Sequence, residues 1–309
     1  MTVSAPTRPT VSVVMATKNR SELARRTLQS LFELDPHDFE LEVVVVDDGS
    51  TDDTVEQVTR LPVRLIRTEG VGMAEARSLG LRAASGDFVT VLDDDDVVLP
   101  AAFHSQLAVF REHPEVALVH AQAQLVGPDL TPFGDPFPYS PLPKFPQLRD
   151  CLSYFPQVGT IVTRMEAARE AGDFDPTLPG DNDWDWMLRI VRRHPVAAVE
   201  EPVLLFRQRD EPQEELAWRR YPAVATIFRR HTGDLPVVDR VRLRPVMWRH
   251  RGWCTSMFLN HAHDNWCAGD RHRALTSLGY AVRTSPVHVV VEGGRRIGRS
   301  LVQRVRGHG

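Results

Sequence analysis

At 309 residues, with 42% hydrophobic and 25% charged side chains, the chain is long enough to bury a substantial core and is composed like an ordinary globular protein, which excludes fibrous and disordered classes. A net charge of -4 gives no general case for nucleic acid, no apolar run approaches the ~18 residues of a membrane span, and the polar, Pro-containing stretch from Met1 to Thr10 does not read as a signal peptide. The three cysteines, Cys151, Cys254 and Cys267, form no CxxC pair and leave one over in any pairing, which points to a reducing, cytoplasmic compartment.

Strand and helix signals alternate from the start. Val11 to Ala16 is an apolar run of strand length, the pattern of a strand buried on both faces. After Thr17-Lys18-Asn19-Arg20, Ser21 can cap a helix whose apolar face is Leu23, Leu28, Leu31 and Phe32. Leu41 to Val46 is a second buried strand running into Asp47-Asp48-Gly49, where Gly49 permits a tight turn and Ser50 or Thr51 can cap a helix through Leu61. Val63 to Arg67 reads as a third strand, Met73 to Ala84 as a helix opened by Gly70 and Gly72, and Asp87 to Leu92 as a fourth strand. Four βα units in succession imply a mostly parallel sheet with helices on both faces, whose ligands bind beyond the carboxyl ends of the strands. Three polar clusters fall at those ends: Thr17 to Arg20, Asp47-Asp48, and Asp93 to Asp96.

Four consecutive carboxylates repel one another unless a cation sits among them. Asp93 and Asp95 project to the same side of an extended backbone, and an oxygen-only ligand set favours Mg2+ or Mn2+ over zinc. The plainer alternative is a solvated acidic turn or a helix N-cap before Pro100. Onward, Pro100 to His113 reads as a helix and Val116 to Val126 as a strand. Gly127 to Gln147, with prolines at 128, 132, 136, 138, 141, 143 and 146, reads as an irregular loop over the site. A short strand over Val158 to Arg164, helices to Ala171 and from Asp183 to Arg193, and strands at Val196 to Val199 and Val203 to Arg207 complete a domain spanning residues 1–212. From Glu214 the pattern is helical, giving a C-terminal region over 213–309.

Seven pieces, in order, now carry a resemblance. They are Val11 through Arg20, Val46-Asp47-Asp48-Gly49-Ser50-Thr51-Asp52, Gly72 through Arg77 to Gly80, Ala84-Ser85-Gly86-Asp87, Leu92 to Asp96, Gly172-Asp173-Phe174-Asp175, and Asp183-Trp184-Asp185-Trp186-Met187-Leu188-Arg189. Together they resemble the inverting family-2 glycosyltransferases over roughly residues 10 to 210. The resemblance implies a GT-A type, Rossmann-like α/β fold and a nucleotide-diphospho-sugar donor, UDP-linked by preference. It implies that Ala16, Thr17 and Arg20 hold base and ribose, that Asp48 accepts from the base, and that Arg77 lies near the diphosphate or base. Asp93 and Asp94 would contact the sugar nucleotide, Asp95 would bind the divalent ion with Asp93 beside it, Asp183 would be the catalytic base, and Arg207 would match an arginine after the last strand. Three departures stand out: Ser78 where the family usually has Asn, Asn182 where an acid commonly precedes the base, and Arg209 where a His is common.

The chemistry agrees with those roles. Displacing a nucleoside diphosphate from an anomeric carbon puts charge on the leaving group, which a divalent ion and Arg stabilise. The attacking hydroxyl of a glycan, lipid-linked or small-molecule acceptor must lose its proton to a carboxylate, and a single displacement inverts the centre. Other readings stand beside these. Asp183 can be a helix N-cap, Asp48 can cap a turn, and Arg77 can pair with Glu75 or an Asp. Of Trp184 and Trp186, one is expected in the core and the other can stack on an acceptor sugar. A nucleotidyltransferase would carry a Gly-rich loop after the first strand, and Ala16 to Arg20 contains no Gly. A catalytically silent binding module would be marked by loss of Asp95 or Asp183, and both are present.

The C-terminal third is expected to hold a helical hairpin with Ala274, Leu275, Leu278 and Ala281 on its second helix. His261, His263, Cys254 and Cys267 read as packing residues, because they lack paired zinc spacing. Beyond Gly293-Gly294, apolar Ile297, Leu301, Val302 and Val305 alternate with Arg295, Arg296, Arg299, Arg304 and Arg306. Such a segment can lie on anionic lipid, a peripheral contact at the inner face of the plasma membrane, or fold back on the domain. The sequence leaves the sugar, the acceptor and the oligomeric state open.

Overall fold

In the computed structural model the residues described are 8–154, 156–208 and 213–292, with backbone alone for 213–217 and 219. Two units emerge: one comprises Met1–Leu178 and Asn182–Arg209, the other Pro179–Asp181 and Asp210–Gly309.

The first unit is built on one eight-stranded sheet. Its opening elements are β1 (Thr10–Thr17), α1 (Ser21–Phe32), β2 (Glu40–Asp47), α2 (Thr54–Thr59), β3 (Arg64–Arg67), α3 (Met73–Ala83) and β4 (Phe88–Leu92). The apolar runs of β1, β2 and β4 become parallel neighbours because each is buried on both faces: Val11, Val13, Val14, Val44, Val45, Val46 and Val89 are fully enclosed. Helix α1 lays Ala24, Leu28 and Leu31 onto this sheet, and each such leucine contributes about 2 kcal/mol of burial. Ser21 is the first helical residue and not its cap, and Arg20 precedes it with no side-chain cap. Helix α2 likewise begins only at Thr54, and Ser50 instead accepts a hydrogen bond from the Asn19 amide at 2.8 Å.

After β4 come β5 (Val97–Val98), α4 (His104–Glu112), β6 (Leu118–Val126), α5 (Leu148–Ser153), a 3-10 turn (Val158–Thr160), β7 (Ile161–Arg164), α6 (Met165–Ala171), α7 (Asn182–Val191) and β8 (Val196–Arg207). The strand order is β3-β2-β1-β4-β7-β6-β8-β5. Strand β7 runs antiparallel to both β4 and β6, and β5 antiparallel to β8; the remaining pairs are parallel. The two short strands expected at 196–199 and 203–207 are one strand, because β6 carries its pairing across the break with register shifts beside Gln122. Residues 100–103 precede α4 as turns, so that helix starts later than the sequence pattern places it. The Pro-rich segment runs beside β6, bridging Ala123 to Phe137 and Val126 to Pro132.

Two glycines set how closely the loops approach. Gly49 has φ +80, and a Cβ there would lie 3.2 Å from the Gly70 amide nitrogen. A Cβ on Gly159 would lie 3.0 Å from Leu92 and 3.1 Å from Leu204, tighter than most side-chain contacts, so glycine eases the approach of the 3-10 turn to the end of β4.

The second unit is helical: α8 (Gln213–Thr232), α9 (Val237–Cys267) and α10 (Arg271–Thr284), with a further helical stretch over 286–292. Helix α10 packs along α9 through Ala274, Ser277, Ala281 and Thr284, whereas Leu275 and Leu278 are exposed. That corrects the expected apolar face. Small residues allow close helix approach and leave the leucines outside. His261 bonds Ser277 at 2.9 Å and Cys254 is buried, and these two do not converge with His263 and Cys267 on a common point. Among the described residues no helix is long and apolar enough to cross a membrane. The basic segment beyond Gly294 lies outside the described residues.

Candidate active site

The parallel register dictates which side chains meet. Thr17 is paired with Asp47, and Met15 with Leu92, so residues 93–95 emerge beside Ala16 and Thr17 at the carboxyl ends of β1 and β4. There the Thr17 hydroxyl donates to Asp94 Oδ2 at 2.8 Å, and Arg20 Nη1 reaches Asp94 Oδ1 at 3.0 Å and Asp95 Oδ2 at 3.1 Å. Burial pushes the Asp94 carboxyl above its ordinary range. Arg20 and Thr17 pull it back, but the charges of Asp95 and Asp93 add to the rise. Three carboxylates thus crowd together here, with Arg20 bridging Asp94 and Asp95.

Asp48 is held by three donors: the Thr68 hydroxyl at 2.6 Å, the Val71 amide at 2.7 Å and the Gly72 amide at 3.0 Å. Burial works to raise its carboxyl, but these donors and the charge of Lys18 prevail and hold it below the usual range. Asp47 points inward, with the Ser50 amide 3.3 Å from both of its oxygens and Arg67 Nε 3.4 Å from Oδ2. Thus of the acid pair only Asp48 faces the loop that follows β3.

Arg77, on α3 and almost wholly buried, is the hinge of the arrangement. One guanidinium nitrogen lies 2.5 Å from Asp93 Oδ1. The other donates to Asn182 Oδ1 at 3.1 Å and lies 3.8 Å from Asp183 Oδ2. Burial opposes its charge, and Asp93 and Asp183 more than restore it. Asp183 lies in the first turn of α7, where its carboxylate accepts from the Trp184 amide at 2.8 Å, and its side chain is 30% exposed. Asp93 is 22% exposed, whereas Asp94 and Asp95 are nearly covered. Asp93 and Asp183 are thus the more open of these acids.

Arg207 and Asp96 stand behind this front. Arg207 Nε donates to the Asp95 carbonyl at 2.9 Å, its Nη1 bonds the Pro128 carbonyl, and its amide donates to Asp96 Oδ1 at 3.1 Å. The described contacts of Arg207 are with backbone and with Asp96. Trp184 and Trp186 are both buried, bonding the carbonyls of Cys151 and Gly172 through their indole nitrogens. Neither is available to stack on a sugar, because α7 is enclosed on two sides. Thr68 and the amides of Val71 and Gly72 carry no motif of their own in the sequence, and their one signal is their place after the third strand.

The donor set suits a hard divalent ion, since every nearby ligand atom is oxygen. The carboxylates of residues 93–95 do not gather into a three-acid cage, their ligand atoms not all falling within 4.8 Å of one another. An ion held by one or two carboxylates, with phosphate and water completing its shell, fits this geometry.

Comparison with known proteins gives the same architecture. Residues 12–169 match the family described as Glycosyl transferase family 2. An uncharacterized glycosyltransferase of Haemophilus influenzae is 28% identical over 194 residues, 59% of this chain and 62% of the relative. The chain spans less than two thirds of the length of the curated relatives it matches. Among solved structures, Staphylococcus aureus TarS 1-349 in complex with UDP-GlcNAc superposes with a TM-score of 0.57 at 17% identity, covering 89% of this chain and 92% of that one. The mannosyltransferase PcManGT from Pyrobaculum calidifontis, in complex with GDP-Man and Mn2+, gives 0.61 at 20% identity, covering 94% and 81%. At these identities the likeness establishes the fold, which is of the GT-A type.

Proposed function

Since the chain belongs to glycosyl transferase family 2, we propose that it transfers a sugar from a nucleoside diphosphate to an acceptor hydroxyl, with Asp183 as the base. The observation that carries this reading is Arg77. A single buried guanidinium joins Asp93, at the donor end of β4, to Asn182 and Asp183 at the start of α7. The two carboxylates the reaction needs are thereby set on either side of one fixed cation.

Asp48 offers the nucleobase a carboxylate fixed by three donors, and Ala16, Thr17 and Arg20 line the adjoining end of β1 for base and ribose. A uridine donor is our preferred reading, and the complexes of TarS and PcManGT contain UDP-GlcNAc and GDP-Man respectively. Mn2+ or Mg2+ bound at Asp95, with Asp93 beside it, would neutralise charge on the departing diphosphate. Arg77 adds a fixed positive charge beside Asp93. Arg207 holds the Asp95 backbone in place. Asp183 takes the proton as the acceptor oxygen bonds to the anomeric carbon and the bond from that carbon to the diphosphate oxygen breaks, so configuration inverts.

Asp183→Asn tests the assignment. Release of nucleoside diphosphate from the cognate nucleotide sugar, with Mn2+ present, is expected to fall by about 100-fold or more. Affinity for the nucleoside diphosphate should stay within about threefold of wild type, since an isosteric amide leaves the donor contacts in place. Equal loss of binding and turnover would make Asp183 a structural residue of α7.

A further inference from the structure

We propose that His37, Asp38 and His104 form a second metal site, suited to a zinc-class transition ion and separate from the donor crevice. His37 and Asp38 lie in the connection between α1 and β2, and His104 is the first residue of α4. One ligand atom from each lies within 4.8 Å of those of the other two, the only such grouping of His, Cys, Asp and Glu among the described residues. Asp38 Oδ1 is 2.6 Å from His104 Nδ1, and the exposed His37 ring stacks on that of His104 with centroids 4.5 Å apart and planes 15° from parallel, so His37 must turn out of the stack for both imidazoles to face one ion. Outer groups are also in place: Asp35 is 3.5 Å from His37 Nδ1, and Arg111 holds the second Asp38 oxygen at 3.0 Å.

The ligand chemistry differs from that of the donor crevice. Two imidazole nitrogens and one carboxylate oxygen form a borderline set that selects zinc and its neighbours over Mg2+ or Mn2+, and water can complete a tetrahedron. Carboxylates that orient ligating histidines, as Asp35 is placed to orient His37, are the usual support of such sites. The ligands are also positioned by the core. Phe39, next to Asp38, is fully buried and meets Phe103 edge-to-face at 5.5 Å. Phe103, next to His104, is held at φ +70 with its amide on Gln106 Oε1 at 2.9 Å. A bulky residue keeps such a backbone only where its surroundings fix it.

The site also lies far from the chemistry. Strand β2 runs from Glu40 to Asp47, so His37 and Asp38 stand about 25 Å along the strand from the Asp47-Asp48 end. An ion here would tie the α1–β2 connection to α4 and take no part in sugar transfer. The competing possibility is an Asp38–His104–Arg111 ion pair that binds no metal.

The test is equilibrium dialysis of the full chain against Zn2+ alone, with Co2+ substitution read by its tetrahedral visible absorption. Wild type is expected to bind one equivalent through this site, and Asp95→Asn to retain it. His37→Ala and His104→Ala should weaken it by at least about tenfold, and Zn2+ should raise the Tm of wild type but not of these two variants. His37 is exposed at the surface, so His37→Ala should fold even if His104→Ala does not. Absence of Zn2+ binding by wild type, unchanged affinity in His37→Ala, or loss of the ion in Asp95→Asn would each overturn the proposal.

Discussion

Arg77 shows how much of this site depends on one side chain. Its charge is buried between Asp93 and Asp183, and removing one member of a buried ionic group leaves the others uncompensated. Arg77→Ala should lower the unfolding free energy by about 3 kcal/mol, measured by urea denaturation, and a change below about 1 kcal/mol would contradict the ionic account. The carboxylates themselves were legible in the sequence: Asp48 and Asp93 to Asp95 follow apolar runs, and in parallel sheets the groups after such runs line the ligand crevice. The linkage through Arg77 was not legible. It joins positions 105 residues apart in the chain to Asn182, and local periodicity carries no information about such a pairing. The two tryptophans on α7 show the opposite failure. Their spacing placed them on different sides of the helix, but both sides are enclosed.

Among the elements, β1, β2 and β4 could be read because a strand buried on both faces is apolar throughout. Helix α5 and the two-residue β5 could not, since six- and two-residue elements owe their existence to what they pack against. The antiparallel direction of β7 was equally hidden, because strand sense depends on tertiary pairing and leaves no mark in composition. Strand β6, at the centre of these pairings, carries a test of burial. His120 is fully enclosed, with the Tyr154 hydroxyl 3.3 Å from its Nε2, and burial pushes its pKa down from 6.5 to about 4. Because the folded state binds this proton more weakly than the unfolded chain, the stability contribution is complete above about pH 6.5 and is lost as pH falls toward 4, amounting to about 3 kcal/mol. Urea unfolding at pH 7 and pH 4.5 should therefore show a larger loss in wild type than in His120→Asn. Equal losses would mean that His120 is solvated or protonated in the folded protein.

For the molecule as a whole, the family match ends at residue 169, before Asp183 and Arg207. The second unit, α8 to α10, exposes Trp248, Trp253 and Trp266 along with Leu275 and Val282. Under the proposed function, the acidic cluster at the end of β4 would hold a nucleoside diphosphate through a divalent ion. A thermal-shift panel of UDP, GDP, CDP, dTDP and ADP, each with and without Mn2+, tests it directly, because a ligand that binds only the folded state raises Tm. A rise is expected for one diphosphate, UDP by preference, that requires Mn2+ and disappears in Asp95→Asn. No shift with any diphosphate, or a shift of equal size without metal and in Asp95→Asn, would contradict it.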